Sequence, residues 1–122
     1  MASILLIEDD AEVRTVIRRM LESKNHEVVE AQNGKVGLRL YRKNSTDLVV
    51  TDILMPDKEG IETIRELRRD FPEVKIIAIS GGGRLGLERY LKLAKKMGAQ
   101  RTLEKPFNGN ELNEVVRELL SE

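Results

Sequence analysis

What most constrains the fold of this chain is a hydrophobic period that switches back and forth along it. Ile4 to Ile7 is an unbroken apolar run, the pattern of a strand covered on both faces. Val13, Val16, Ile17, Met20 and Leu21 then follow helical spacing, with Asp10 placed to cap that helix. Val28 and Val29 mark a second strand. Val36, Leu40 and Tyr41 mark a second helix, capped by Asn33, and Leu48 to Val50 form the third strand. Ile61, Ile64, Leu67 and Phe71 share one face of a third helix closed by Pro72, and Ile76 to Ile79 is the fourth strand. Leu87, Tyr90, Leu91, Ala94 and Met97 predict a fourth helix ended by Gly98, and a short fifth strand lies near Thr102 and Leu103. Leu112, Val115, Val116, Leu119 and Leu120 predict a last helix, with Asn108 and Glu111 at capping-box spacing. Strand and helix alternate five times. That order predicts an α/β fold, a parallel sheet with helices on both faces joined by right-handed crossovers.

Other features narrow the class. The 122 residues suit one compact domain. Lysine plus arginine and aspartate plus glutamate both number 21, so net charge draws the chain toward neither nucleic acid nor lipid. The absence of cysteine rules out disulfides and thiolate metal sites. The apolar run in MASILLIEDD is too short for a signal peptide or membrane span, so the expectation is a cytoplasmic protein with no membrane partner.

In open parallel sheets the functional crevice lies beyond the carboxyl ends of the strands, so the residues that finish each strand matter most. The first strand ends in Glu8, Asp9 and Asp10, and the third in Asp52. The fourth ends in Ser80, followed by Gly81, Gly82 and Gly83, and the fifth in Glu104 and Lys105, followed by Pro106. With the first and third strands adjacent, several carboxylates crowd together and repel. An all-oxygen cluster suits a hard divalent cation, Mg2+ above all, which leaves room for phosphate. Lys105, the Ser80 hydroxyl and backbone N–H groups near Gly81 match phosphoryl oxygens. Asp52 is then a candidate nucleophile whose product is an aspartyl phosphate. Taken singly, these residues are ordinary: a turn aspartate, helix-capping acids, a loop serine, a solvated lysine. Their joint position carries the reading. His26, the sole histidine, reads as a surface loop residue.

The segments IEDDAEVR, DLVVTDILMPDKEG, IIAISGGG and LEKPF, in this order and spacing, resemble the receiver domain of bacterial response regulators across essentially the whole chain. The resemblance implies a flavodoxin-like (βα)5 fold of strand order 2-1-3-4-5, with residues 1–122 forming one stand-alone receiver domain. It implies that Asp52 accepts a phosphoryl group from phosphohistidine on a sensor kinase or histidine phosphotransfer protein. Asp9 would ligate Mg2+ directly, Glu8 through water, and the Leu54 carbonyl would be a further ligand. Ser80 and Lys105 would follow the phosphoryl group, and the Lys105–Pro106 bond would be cis. The chain would be a signalling module, catalysing only its own phosphorylation and slow dephosphorylation, and would switch a protein-binding surface on the fourth helix, fifth strand and fifth helix.

Two positions depart from the family pattern. Thr102 stands where many receivers carry a switching Tyr or Phe, and it does not fill a ring-sized slot. Ser80 is followed by three glycines, which points to loop ordering as a route of activation. The basic fourth-helix region and the acid-rich fifth helix read as two solvated faces or as a charged partner surface; without aromatic interleaving, direct nucleic-acid binding is not expected. A haloacid-dehalogenase-type phosphatase would need an acid two residues past Asp52, where Leu54 stands. A flavodoxin-like cofactor carrier would need a phosphate cradle where Glu8, Asp9 and Asp10 stand.

Overall fold

The computed structural model describes residues 2–53, 59–81 and 87–122. Five strands, β1 (Ser3–Ile7), β2 (Glu27–Ala31), β3 (Leu48–Asp52), β4 (Ile76–Gly81) and β5 (Arg101–Lys105), alternate with five helices. These are α1 (Ala11–Glu22), α2 (Gly34–Lys43), α3 (Glu59–Asp70), α4 (Leu87–Met97) and α5 (Gly109–Leu120). The sheet is parallel throughout, in the order β2-β1-β3-β4-β5.

Side-chain alternation explains the two-sided core. Ile4, Leu6, Leu48, Val50, Ile77 and Ile79 project to one face and pack under Ile17 and Leu21 of α1 and Leu112, Val116 and Leu119 of α5. Leu5, Ile7, Val49, Ile76 and Ala78 project to the other, against Tyr41 of α2, Ile61, Ile64 and Leu67 of α3, and Ala94 of α4. Strands buried on both faces need apolar residues at every position, which is why the central runs show no alternation of polarity.

The helix ends follow local chemistry. Asp10 accepts hydrogen bonds from the N–H groups of Glu12 and Val13, and Asn33 accepts one from Val36. Asn108 and Glu111 close the reciprocal capping box. At the end of α4, Gly98 adopts φ +134°, and a Cβ there would press on the Arg68 side chain. Arg68 in turn donates to the carbonyls of Pro72, Val74 and Gly98, tying together the two turns that lead into β4 and β5.

The elements run somewhat past their sequence signals. β2 spans five residues around the Val28–Val29 pair, β4 continues one residue past Ser80 to Gly81, and β5 begins at Arg101, ahead of Thr102, and ends at Lys105 as expected. The extra residues are mostly charged or small. They pair through the backbone, to which a hydrophobic pattern is blind. Phe71 lies one residue past α3, although its N–H still reaches the Leu67 carbonyl. His26 sits in the turn before β2, half-buried, and accepts a hydrogen bond from the Ala2 N–H. Among the described residues, no helix is long and apolar enough to cross a membrane.

Candidate functional site

Parallel register brings the strand tips level. Ile7 pairs with Thr51, Asp52 with Ile79, Ser80 with Glu104, and Gly81 with Lys105. Sheet order reverses between β1 and β3: β1 leads through α1 toward one edge, and β3 leads through α3 toward the other. The crevice at this switch point is flanked by the residues that follow β1 and end β3. Glu8, just past β1, extends the ladder by donating its N–H to the Ala31 carbonyl. Its side chain is 1% exposed, and Asp52 is 5% exposed, so both carboxylates are withdrawn from water. Asp9 is the exposed member of the trio.

One carboxylate oxygen from each of Glu8, Asp9 and Asp52 lies within 4.8 Å of the others. Two oxygens opposite each other on a Mg2+ ion stand about 4.2 Å apart, given bonds of about 2.1 Å. The trio therefore fits a small hard cation with minor adjustment. The Lys105 Nζ donates to Glu8 Oε1 at 2.8 Å and to Asp52 Oδ2 at 3.1 Å. Three carboxylates against one ammonium leave a negative surplus that a divalent cation would balance.

Glu8 responds to its burial and, to a lesser degree, to this crowding. Burial pushes the Glu8 carboxyl up to about 7; the Lys105 hydrogen bond offsets this only in part, and the Asp52 charge adds to it. For Lys105, burial pulls the ammonium down, but its bonds to Glu8 and Asp52 outweigh that and hold it above the ordinary lysine range. A measurable consequence follows for the ion-free protein. An unfolded glutamate titrates near its usual value of about 4.3. Between there and pH 7 the folded state therefore holds the proton more tightly. This contribution to stability is complete below the unfolded pKa and is lost as pH rises through 7. Glu8→Gln removes this dependence, so its stability relative to wild type should improve from pH 5 to pH 8 by on the order of 2 kcal/mol. Denaturant melts in chelator would read this; parallel curves for the two proteins would refute it.

Ser80 is buried, and its hydroxyl has no hydrogen-bond partner among the described residues. A buried hydroxyl without a partner is costly, and such groups recur where a ligand completes the bonding. Gly81 ends β4 opposite Lys105, and the Lys105–Pro106 peptide is cis. Leu54, Gly82 and Gly83 lie outside the described residues. Thr102 pairs with Ala78, half-buried, on the opposite side of β5 from Leu103, which packs toward α1 and α5.

Structure thus brings Glu8, Asp9, Asp52 and Lys105 into one site, with Ser80 and Gly81 on the adjoining strand. The direct lysine–carboxylate pairing had no sequence signal, because its partners are 97 and 53 positions apart. Arg14 also went unnoticed: its Nη1 donates to the Glu8 carbonyl at 2.8 Å. Its place early in α1, six residues after Glu8, is the only hint the sequence holds. Away from the site, Lys92, Lys95 and Lys96 on α4 and Glu111, Glu114 and Glu118 on α5 are exposed, and Arg101 pairs with Glu122.

Residues 4–117 match the family described as the response regulator receiver domain. The transcriptional regulatory protein CpxR of Escherichia coli (strain K12) is 36% identical over 98% of this chain and 50% of its own length. The sensor kinase CckA of Brucella abortus (strain 2308) is also 36% identical over 98% of this chain, but over only 12% of its own length. The chain thus spans half or less of these relatives. The chemotaxis protein CheY of Bacillus subtilis (strain 168) is 32% identical over 97% of both chains. A response regulator receiver domain protein from Clostridium thermocellum superposes with a TM-score of 0.89 at 32% identity, covering 99% of this chain and 95% of that one. On these grounds the chain belongs to the response regulator receiver domain family, the signalling modules of two-component systems.

Proposed function

We propose that residues 1–122 form a cytoplasmic receiver domain in which Asp52 accepts a phosphoryl group from a phosphohistidine on a sensor kinase or phosphotransfer protein. The observation that carries this reading is the setting of Asp52: a withdrawn carboxylate between an acidic pair and a lysine ammonium, with the buried Ser80 hydroxyl, unpartnered among the described residues, on the neighbouring strand. An Asp52 oxygen forms the new bond to phosphorus as the phosphorus–nitrogen bond to the donor imidazole breaks, its electron pair staying on nitrogen. Lys105 is within reach of both carboxylates and can transfer a hydrogen bond to a phosphoryl oxygen, and the buried Ser80 hydroxyl can donate to another. Asp9 and Asp52 would hold Mg2+ directly and Glu8 through water, with the Leu54 carbonyl as a further ligand. When bound, Mg2+ supplies charge neutralisation to the phosphoryl oxygens.

The added charge and acceptor oxygens would then bias a two-state equilibrium read by a protein target at α4, β5 and α5. Thr102 in place of a ring argues for a readout through the segment after Ser80 and not through an aromatic rotamer. Incubation with acetyl phosphate followed by intact mass tests the chemistry. One phosphoryl group per chain is expected with Mg2+, and none when the metal is chelated. Labelling that proceeds equally well in chelator would reject the metal-assisted mechanism.

A further inference from the structure

We propose that Arg14 is a positioning residue for the cation site, clamping the peptide that follows Glu8 so that the Asp9 carboxylate stays aimed at its neighbours. The inference rests on the proposed Mg2+ site and adds a residue to its support. Glu8 is the first residue beyond β1, where the regular ladder runs out. Its N–H is secured by the Ala31 carbonyl of β2 at 3.0 Å, and its own carbonyl points to the same side, where β2 has already ended at Ala31. The Glu8 carbonyl would therefore be left at a ragged strand end without a donor. Arg14 supplies one from the first turns of α1, at 2.8 Å.

The rest of Arg14 is anchored as well. Its Nε lies 3.4 Å from Glu30 Oε1 on β2, and its side chain is only 20% exposed. Further along the same loop, the Asp10 N–H donates to Glu8 Oε2, and the Asp10 carboxylate caps α1. Asp9 is thereby held between two peptides fixed from both directions. This matters most for Asp9 because it is the exposed member of the acidic trio, so neighbouring packing does little to orient it.

The charge on Arg14 is the counter-argument, since a guanidinium near a cation site repels the cation. Glu30 answers it by pairing with both Arg14 and Arg18, which spares the site much of that positive field. The positional and electrostatic effects therefore have opposite signs, and that makes the inference decidable.

The experiment is calorimetric titration of Mg2+ into ion-free wild type, Arg14→Ala and Arg14→Lys, with thermal melts and amide hydrogen exchange on each. Arg14→Ala should weaken Mg2+ binding by about 10-fold, the usual effect of removing a group that orients metal ligands. Arg14→Lys should be similarly weak, because a single ammonium cannot serve the Glu8 carbonyl and Glu30 in a fixed fork. In both variants the Asp9 and Asp10 amides should exchange faster. Tighter Mg2+ binding by Arg14→Ala, or wild-type affinity in Arg14→Lys, would overturn the clamp in favour of a pure charge effect. A lowered melting temperature with unchanged Mg2+ affinity would reduce Arg14 to a structural residue. Wild-type protein that fails to bind Mg2+ would remove the metal reading itself, whereas normal wild-type binding with indifferent variants would remove only the clamp.

Discussion

Asp52→Asn protein incubated with acetyl phosphate and Mg2+ is expected to keep its unmodified mass, while the wild type gains one phosphoryl group. The substitution preserves shape and replaces a nucleophilic carboxylate with a neutral amide. The amide oxygen is a far weaker nucleophile, and its nitrogen lone pair is tied up by resonance. The change also relieves like-charge crowding beside Glu8, whose proton affinity Asp52 raises. Asp52→Asn should therefore be folded, and at neutral pH no less stable than wild type in the absence of metal, so a loss of labelling could not be blamed on unfolding. The nearest alternative acceptors are Glu8, buried and bonded to Lys105, and Asp9, exposed at the rim. Phosphoryl incorporation that survives in Asp52→Asn would move the acceptor to one of these, and peptide mapping would say which.

The second large effect concerns the backbone that carries Asp52. Gly60 lies in the first turn of α3, and a Cβ there would fall inside contact distance of the Asp52 carbonyl oxygen and the Ile53 Cα, and 2.9 Å from the Ile53 carbonyl carbon. These are backbone atoms of the chain leaving β3, so no rotamer change relieves the clash. Gly60→Ala should force α3 away from the β3 tip. The expected cost is at the upper end of overpacking, about 3 kcal/mol, or a melting temperature lower by about 10 °C for a domain of this size. Labelling at Asp52 should slow as well, because the carboxylate moves with its main chain. Gly109→Ala is the control. Its Cβ would meet nothing nearer than Met20 Cγ at 3.5 Å, an ordinary contact, so its stability should stay within about 0.5 kcal/mol of wild type. Equal melting temperatures for Gly60→Ala and wild type would show that the helix docks with more freedom than this geometry allows.

These two predictions draw on different kinds of information. Asp52 could be picked out from sequence because an apolar strand that ends on a carboxylate is a local pattern, as were the acidic residues after β1 and the lysine before Pro106. The caps at Asp10, Asn33 and Asn108 were equally legible, since each depends on residues two or three positions away. The requirement for glycine at position 60 was not legible in that way. It arises from how closely a helix approaches a strand end, and no side-chain pattern encodes that distance. The start of β5 at Arg101 was also hidden, because this charged residue pairs with Ile77 through the backbone and not through an apolar pattern.

By itself, the sequence determined which segments are strands and which are helices, where most helices begin, and which side chains stand at strand ends. Hydrophobic period and capping act over a few residues, so they can be read without knowing what lies across space. Only the tertiary structure decided that Lys105 bonds both Glu8 and Asp52, that Ser80 is buried without a partner among the described residues, and that Arg14 holds the Glu8 carbonyl. Those relations depend on sheet register and on helix docking, and the Lys105 bonds join residues up to 97 positions apart. Their geometry is set by the packing of the whole domain and not by any one stretch of chain.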